Sequence, residues 1–230
     1  MNTVTGRALR RGAGRLVALA LLGFAGAACA QPKEGATPLD AYLQDLKTLR
    51  AEFLQTLTDA KGKETDRATG TLIIARPGRF SWEIHPQSQS QASASTGAGQ
   101  LMVCDGTNLW FLDRDLAQVT VKPVDAALTA TPAMLLSGAV DLRKNFKISS
   151  AGERAGLTWV LVEPTGTEAD FRSALFGFAD GALKRMILED KLGQTATLVF
   201  QKAVRNGPVA PAEVSFTPPP NVDVIGTARK

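Results

Sequence analysis

The chain has 230 residues, of which 44% are apolar and 21% charged, a composition that excludes disordered and collagen-like proteins and suits one globular domain. Its formal charge of +4 comes from four arginines in the first thirty residues, which contain no Asp or Glu, because the other 22 of the 26 basic residues balance 22 acidic ones. The rest of the chain therefore lacks the positive charge that binding to nucleic acid or an anionic membrane surface requires.

The first thirty residues have the layout of an export signal. Four arginines precede an apolar run over residues 16–25, and small residues follow. The run of about ten apolar residues is too short for a membrane-spanning helix, which needs roughly 20. We therefore predict a removed signal peptide over residues 1–30 and a single domain over residues 31–230.

Two processing sites are compatible with the small residues at the end of this signal. Cleavage after Ala30 by a leader peptidase would leave Gln31 as the N-terminus. Every part of the secretory signal pattern that this cleavage requires is present in the sequence. Cleavage before Cys29, with acylation of that cysteine, is the alternative, although Gly26 stands where such sites usually carry leucine. We predict the first.

The mature chain opens with a predicted helix. Thr37 is a suitable N-cap, Pro38 is favoured at the first helical position, and Asp40 places a negative charge in the first turn. Apolar residues then recur every three or four positions as far as Phe53, and Gly62 is the first strong stop signal. The apolar positions are Leu39, Tyr42, Leu43, Leu46, Leu49 and Phe53. This spacing predicts one amphipathic helix that packs on another apolar surface.

From Ala68 to Phe216 short apolar runs are separated by turn residues at intervals of about eight to twelve positions, which is typical of an antiparallel sheet. Asp105-Gly106 is a strong hairpin signal. Phe80 and Trp82 alternate with polar residues, which places both aromatic rings on one face. The predicted strands are 71–75, 80–84, 101–104, 107–112, 118–122, 146–149, 157–162, 172–179, 183–189, 195–201 and 214–217. About eleven such strands are enough for one large curved sheet.

Two segments interrupt the predicted strands. In the first, Thr131 as N-cap, Pro132 at the first helical position, an apolar middle and a final Gly138 predict a helix of about two turns. This helix has almost no polar face, so it must be covered. The second segment, residues 87–100, is rich in Ser, Gln, Ala and Gly and lacks periodicity, which predicts a flexible insertion with little role in function.

The sequence lacks the usual motifs of catalysis and cofactor binding. It has no P-loop, no dinucleotide-binding turn and no metal-ligand spacing. Without the first thirty residues, Cys104 is the only cysteine, so no internal disulfide can form, and its apolar surroundings predict burial. His85 is the only histidine, which gives little support to a nucleophile and base pair. We predict no catalytic residue, metal or cofactor; a curved sheet closed by apolar helices could instead hold a lipid.

A series of short motifs runs through nearly the whole mature chain. They are Phe53-x-Gln55, Gly70-Thr71-Leu72, Arg76-Pro77-x-x-Phe80-x-Trp82, Asp105-Gly106-x-x-Leu109-Trp110, Gln118, Thr131-Pro132-x-x-Leu135-Leu136, and Phe216-x-Pro218-Pro219 followed by Asp223-Val224. In this order and spacing they resemble the LolA family of periplasmic lipoprotein carriers. Two departures from the family pattern are the insertion at 87–100 and Ala133, where some members carry an aromatic residue.

The resemblance implies a mainly β, α+β fold: an open, incomplete antiparallel β-barrel of about eleven strands with a lid of short α-helices over an apolar cavity. It implies a monomeric, non-enzymatic chaperone of the periplasm that binds the acyl chains of triacylated lipoproteins. Such a carrier takes its cargo from an inner-membrane lipoprotein-releasing ABC transporter and delivers it to an outer-membrane lipoprotein acceptor.

The resemblance also assigns roles to individual residues. Arg76 would latch the lid by donating hydrogen bonds to the backbone carbonyls of Leu43, Leu136 and Ser137. The residues expected to line the acyl cavity are Phe80, Trp82, Trp110, Met134, Leu135 and Leu46. From the residues alone, Arg76 is better explained as a solvated cation at a strand end, and it is the motif match that favours the latch. Phe80 is equally an ordinary core residue facing Trp82, which is compatible with a role in cargo transfer.

Two other functions remain open from the sequence. One is a lipid-anchored outer-membrane lipoprotein acceptor of the same fold, attached through Cys29. The other is a secreted hydrolase of apolar substrates, for which a nucleophile and a base are missing.

Overall fold

The computed structural model describes residues 35–87, 99–124, 132–139, 141–166, 169 and 171–229. The predicted signal peptide with Cys29 and Gln31, most of the predicted insertion, and Thr131 lie outside the described residues. The helices are α1 (Pro38–Gln44), α2 (Pro132–Ser137) and α3 (Leu142–Asn145), and a 3₁₀-helix covers Pro211–Val214. The strands are β1 (Thr48–Thr58), β2 (Glu64–Ala75), β3 (Arg79–Pro86), β4 (Gln100–Asp105), β5 (Asn108–Asp113), β6 (Gln118–Pro123), β7 (Phe146–Arg154), β8 (Leu157–Pro164), β9 (Phe171–Ala179), β10 (Ala182–Asp190), β11 (Thr195–Arg205) and β12 (Asp223–Ile225). Within these described ranges, no helix is long and apolar enough to cross a membrane.

The strands form one 12-stranded sheet in the order β12-β6-β5-β4-β3-β2-β1-β11-β10-β9-β8-β7. All neighbouring pairs are antiparallel except β12 and β6, which are parallel. The pairing of β1 with β11 joins two meanders, β1 to β6 and β7 to β11. Since β12 and β7 are the two ends of the order, the sheet is open. The predicted mainly β fold, an open antiparallel sheet with short helices, is confirmed.

The predicted first helix is much shorter than its apolar spacing suggested. α1 begins as expected: the Thr37 hydroxyl accepts a hydrogen bond from the Asp40 amide at 3.4 Å, and the Asp40 carboxylate accepts one from the Thr37 amide at 2.7 Å. This reciprocal capping box satisfies backbone donors that the first turn would otherwise leave unpaired. The helix ends at Gln44.

The remainder of the predicted helix is β1, so the prediction of one helix through Phe53 is wrong. Leu49, Ala51 and Phe53 are buried in alternation, and the residues between them are more exposed. β1 is hydrogen-bonded to β2 on one side and β11 on the other. Two strand neighbours satisfy its backbone groups, and burial of alternate side chains on one face outweighs helical propensity.

Ten of the eleven predicted runs coincide with strands, and the run at 214–217 does not. The chain there leaves a 3₁₀-helix, and Phe216 packs on the ring of Trp110 with centroids 5.4 Å apart. β12, which the sequence did not predict, adds three residues beside β6. The predicted loop boundary also shifts, because Gln100 already belongs to β4.

The two faces of the sheet carry different apolar clusters. The larger cluster joins α1 and α2 to inward-facing residues of ten strands, β1 to β5 and β7 to β11. The smaller cluster lies on the other face of β4, β5 and β6 and contains Trp110. α2 packs on β2 and β3 with Ala133, Met134, Leu135 and Leu136 buried, so the predicted covered helix is confirmed. Cys104 is fully buried, as predicted.

Candidate functional site

Two short helices cover the face of the sheet that carries the larger cluster, and α1 and α2 together are termed the lid. Beneath the lid, Leu72, Ile74 and Phe80 are fully buried. Leu135 and Leu136 on the lid side are at most 1% exposed. The lid therefore lies closed on an apolar interior.

Arg76 lies in the turn between β2 and β3, at the edge of the lid. Its Nη1 donates a hydrogen bond to the Leu43 carbonyl near the end of α1, at 2.5 Å. The same carbonyl accepts a second hydrogen bond from the Leu46 amide at 3.3 Å. Partial burial lowers the pKa of the Arg76 guanidinium from its ordinary value. An arginine suits this position because its fixed fork of donors can satisfy helix-end carbonyls.

The same guanidinium also lies against the end of α2. A side chain added at Gly138 would place its Cβ 2.7 Å from Arg76 Nη2 and 2.8 Å from Nε. Gly138 has a φ of +72°, in the left-handed region that glycine adopts without strain. Glycine therefore both ends α2 and leaves room for the arginine that contacts α1.

Backbone contacts attach the end of α2 to the turn that carries Arg76. The Gly78 amide donates to the Ser137 carbonyl at 2.9 Å. The Cys104 thiol in turn donates to the Gly78 carbonyl at 2.9 Å. Of the predicted latch residues, Arg76 thus contacts Leu43, and the Ser137 carbonyl accepts its hydrogen bond from Gly78. Leu136, the residue before Ser137, is buried in the apolar cluster. The buried thiol is a structural donor, and burial raises its pKa.

α1 is also held on its other side by the end of β11. Arg205 Nη2 donates to the Tyr42 carbonyl at 2.8 Å, and its guanidinium carbon lies 4.4 Å from the centroid of the Tyr42 ring. Asn206 Nδ2 donates to the Asp45 carbonyl at 2.9 Å. Burial raises the pKa of Tyr42 to about 12, although the Arg205 cation opposes the shift. The sequence prediction missed Arg205, which no single-sequence signal connects with a helix 163 positions earlier.

A third arginine contacts the start of α1. Arg143 of α3 donates to the Asp40 carboxylate at 2.7 Å and to the Gly35 carbonyl at 3.1 Å. Burial alone would raise the pKa of Asp40, but hydrogen bonds from Thr37 and Arg143 outweigh it and lower that pKa. α1 is therefore fixed by polar contacts from three separate elements.

Five of the six predicted cavity residues lie in the single apolar cluster beneath and within the lid. They are Phe80, Trp82, Met134, Leu135 and Leu46. Trp110 does not, and its assignment to the cavity is wrong. It is paired with Val103 on the opposite face of the sheet, and its Nε1 donates to the Asp105 carboxylate at 2.7 Å. Neighbouring residues of a strand face opposite sides of the sheet. Since Cys104 and Leu109 face the lid, Val103 and Trp110 must face away from it.

Open space is found at the margins of the lid. One cavity of about 420 Å³ lies between α1 and the turn joining β9 to β10, lined by Tyr42, Phe178 and Arg205 among others. A second, of about 400 Å³, lies where Arg76 and Leu43 face α3. Both cavities therefore lie at the edges of the lid, next to Tyr42 and Arg76.

The described part of the chain offers no group of three His, Cys, Asp or Glu side chains that could hold a metal ion. Its fold and site define a class of protein in which an apolar lid of short helices covers one face of an open β-sheet. The site consists of a buried apolar cluster beneath the lid and of arginine side chains that hydrogen-bond to the backbone of α1 at the edge of the lid.

Comparisons with known proteins assign the family. The family model of the outer membrane lipoprotein carrier protein LolA matches residues 44–217. A relative from Dechloromonas aromatica (strain RCB), named outer-membrane lipoprotein carrier protein, is 38% identical over 188 residues, which cover 82% of this chain and 86% of the relative. A relative of the same name from Chromobacterium violaceum is 37% identical over 201 residues, covering 87% and 92% of the two chains. The chain belongs to the LolA family.

A solved structure shares the fold. The crystal structure of an uncharacterized conserved protein from Thermus thermophilus aligns with a TM-score of 0.50 and 13% sequence identity, covering 82% of this chain and 96% of that one. At this identity the likeness concerns the fold alone.

Proposed function

We propose that this protein is a non-enzymatic carrier in the periplasm that holds the acyl chains of lipoproteins beneath its lid. The observation that carries the proposal is the continuous apolar cluster that joins the inner face of the sheet to α1 and α2. Membership of the LolA family and the name shared by the relatives from Dechloromonas aromatica and Chromobacterium violaceum support it.

The cargo sets the physical requirement. Three acyl chains contain about 45 methylenes, and at about 0.8 kcal/mol each their exposure to water costs on the order of 36 kcal/mol. Free diffusion between two membranes is therefore excluded, and a carrier must supply apolar surface. The apolar surface between the lid and the sheet meets this requirement. When acyl chains displace the lid, their contacts with the sheet replace the apolar contacts that the lid made.

The carrier also needs a donor and an acceptor. We infer that an inner-membrane lipoprotein-releasing ABC transporter loads the protein and that an outer-membrane lipoprotein acceptor unloads it. Because free energy must favour each transfer, the empty, closed lid needs stabilisation that competes with cargo. The polar contacts of Arg76 and Arg205 at the lid are suited to this role.

The direct test is to purify the native protein from the periplasmic fraction and identify bound molecules by mass spectrometry. We expect triacylated lipoprotein in the purified complex, and transfer of that lipoprotein to outer-membrane vesicles. An absence of bound lipoprotein together with a failure to take up a purified one would contradict the proposal.

The mass of the mature N-terminus separates the carrier from an anchored acceptor. A carrier cleaved after Ala30 starts at Gln31 and is recovered without detergent. A diacylglyceryl adduct on Cys29 would instead favour the lipid-anchored acceptor.

A further inference from the structure

The three tryptophans of the chain differ in how their indole nitrogens are satisfied. Trp110 Nε1 donates to the Asp105 carboxylate at 2.7 Å, and Trp159 Nε1 donates to the Arg154 carbonyl at 3.0 Å. Trp82 Nε1 is buried and has no hydrogen-bond acceptor among the described residues. Buried polar groups in folded proteins are nearly always paired, so this exception requires a reason.

Trp82 lies in the interior that the lid covers. It is 8% exposed and stands on β3 between Leu72 of β2 and Met102 of β4. The ring of Phe53 meets it edge-on, with centroids 5.8 Å apart. It belongs to the same apolar cluster as Phe80, two residues earlier on the strand. These apolar neighbours supply no acceptor for the indole N–H.

An unpaired donor is unfavourable in such an environment, because its hydration is lost without compensation. Phenylalanine would fill much of the same space and contact Phe53 without that penalty. A tryptophan here is therefore better explained by an acceptor that arrives with a ligand than by packing.

We propose that Trp82 Nε1 recognises an ester carbonyl oxygen of the diacylglyceryl group of the cargo. This inference rests on the proposed carrier function and adds a polar contact to it. Acyl chains carry no acceptor, whereas each ester linkage brings a carbonyl that also loses water when it enters an apolar interior. A hydrogen bond between the indole and this carbonyl removes both unpaired groups at once.

Two synthetic probes test the contact. One is a cysteinyl peptide carrying a diacylglyceryl group on sulfur, and the other is its dialkyl ether analogue, which has the same chain length but no ester carbonyl. Trp82→Phe should weaken binding of the ester probe about three- to tenfold, the range expected for one net hydrogen bond. Binding of the ether probe should change less than twofold.

A matched control tests whether the effect is specific to the indole N–H of Trp82 or follows from the loss of any tryptophan. Trp110→Phe removes an indole on the opposite face of the sheet and should leave the ratio of ester to ether affinity as in the wild type. Equal weakening of both probes by Trp82→Phe would mean that only ring size matters and would overturn the proposal, as would no weakening of either.

A second measurement needs no change at Trp82 and holds if Trp82→Phe does not fold. The ¹H–¹⁵N spectrum of the wild type should contain one indole resonance for each of the three tryptophans, and spectra of Trp110→Phe and Trp159→Phe would assign the third by elimination. The ester probe should move the Trp82 indole proton downfield, and the ether probe should not. The same shift with both probes would contradict an ester contact. If neither probe binds the wild type, the carrier function itself fails; if both bind and the indole does not respond, only this inference fails.

Discussion

Replacing Arg76 by leucine should slow the release of cargo. The change removes the hydrogen bond from Nη1 to the Leu43 carbonyl and the guanidinium that lies against Gly138, while leaving an apolar side chain at the lid edge. Opening the lid would separate α1 and α2 from Arg76, so the loss of these contacts should favour the open, cargo-bound state.

The structure sets the size of this effect. A hydrogen bond from a charged donor contributes roughly 1.5–3 kcal/mol. The Leu43 carbonyl keeps its hydrogen bond from the Leu46 amide after the substitution, and Arg76 is only partly buried, so the lower end applies. About 1.5 kcal/mol corresponds to a roughly tenfold shift toward the open state.

The assay loads each variant with a labelled lipoprotein and follows transfer to acceptor membranes. Arg76→Leu should accept cargo normally and release it about tenfold more slowly, and Arg76→Lys should recover part of the rate because one ammonium cannot reproduce the fixed fork of donors. Arg172→Leu is a matched control, since it removes an exposed arginine paired with Glu189 away from the lid. Equal release from the wild type and Arg76→Leu would refute the latch role.

Three further predictions concern the lid, the insertion and alkaline pH. Gly138→Ala places a Cβ 2.7 Å from Arg76 Nη2, which is too close, so the flexible guanidinium should be displaced and release should slow as in Arg76→Leu. Normal transfer by a folded Gly138→Ala protein would contradict this. Deleting residues 88–98 leaves residues 85, 86, 87 and 99 to join the paired Ile84 and Gln100, a hairpin connection of acceptable length, so the free energy of unfolding in urea should change by no more than about 1 kcal/mol. Burial raises the pKa of Tyr42 from 10.0 to about 12, so its stabilising contribution is complete below pH 10 and is lost as pH rises toward 12. Relative to Tyr42→Phe, the wild type should therefore lose up to about 2 kcal/mol between pH 9.5 and 12, and parallel curves for the two proteins would exclude the shift.

The apolar periodicity predicted strands well and the first helix poorly, for one physical reason. Leu43 on α1, Leu46 in the following turn and Leu49 on β1 all face the same core. Their spacing of three residues therefore reflects one buried surface that crosses two kinds of element. Only the pairing of β1 with β2 and β11, which depends on residues far away in sequence, decides in favour of a strand.

The site was predictable where local motifs define it and not where distant elements meet. The motif around Arg76, Phe80 and Trp82 located a lid-facing strand and the arginine that contacts the Leu43 carbonyl. The face occupied by Trp110 could be determined only once its pairing with Val103 was known, since a shift of one residue reverses the face of a whole strand. The contact of Arg205 with α1 and the unpaired indole of Trp82 depend on tertiary packing that a single sequence does not reveal.

The closed lid combines an apolar underside with a few polar attachments at its edge, and the two have different consequences for transport. Acyl chains can replace the contacts of Leu136 and Phe80, because dispersion and burial are similar for any well-packed hydrocarbon. They cannot replace the donors that Arg76 and Gly78 direct at the ends of α1 and α2. We infer that the apolar contacts set how strongly cargo is held beneath the lid. We infer that the polar contacts set how strongly the empty protein returns to the closed state, and hence how readily cargo is released.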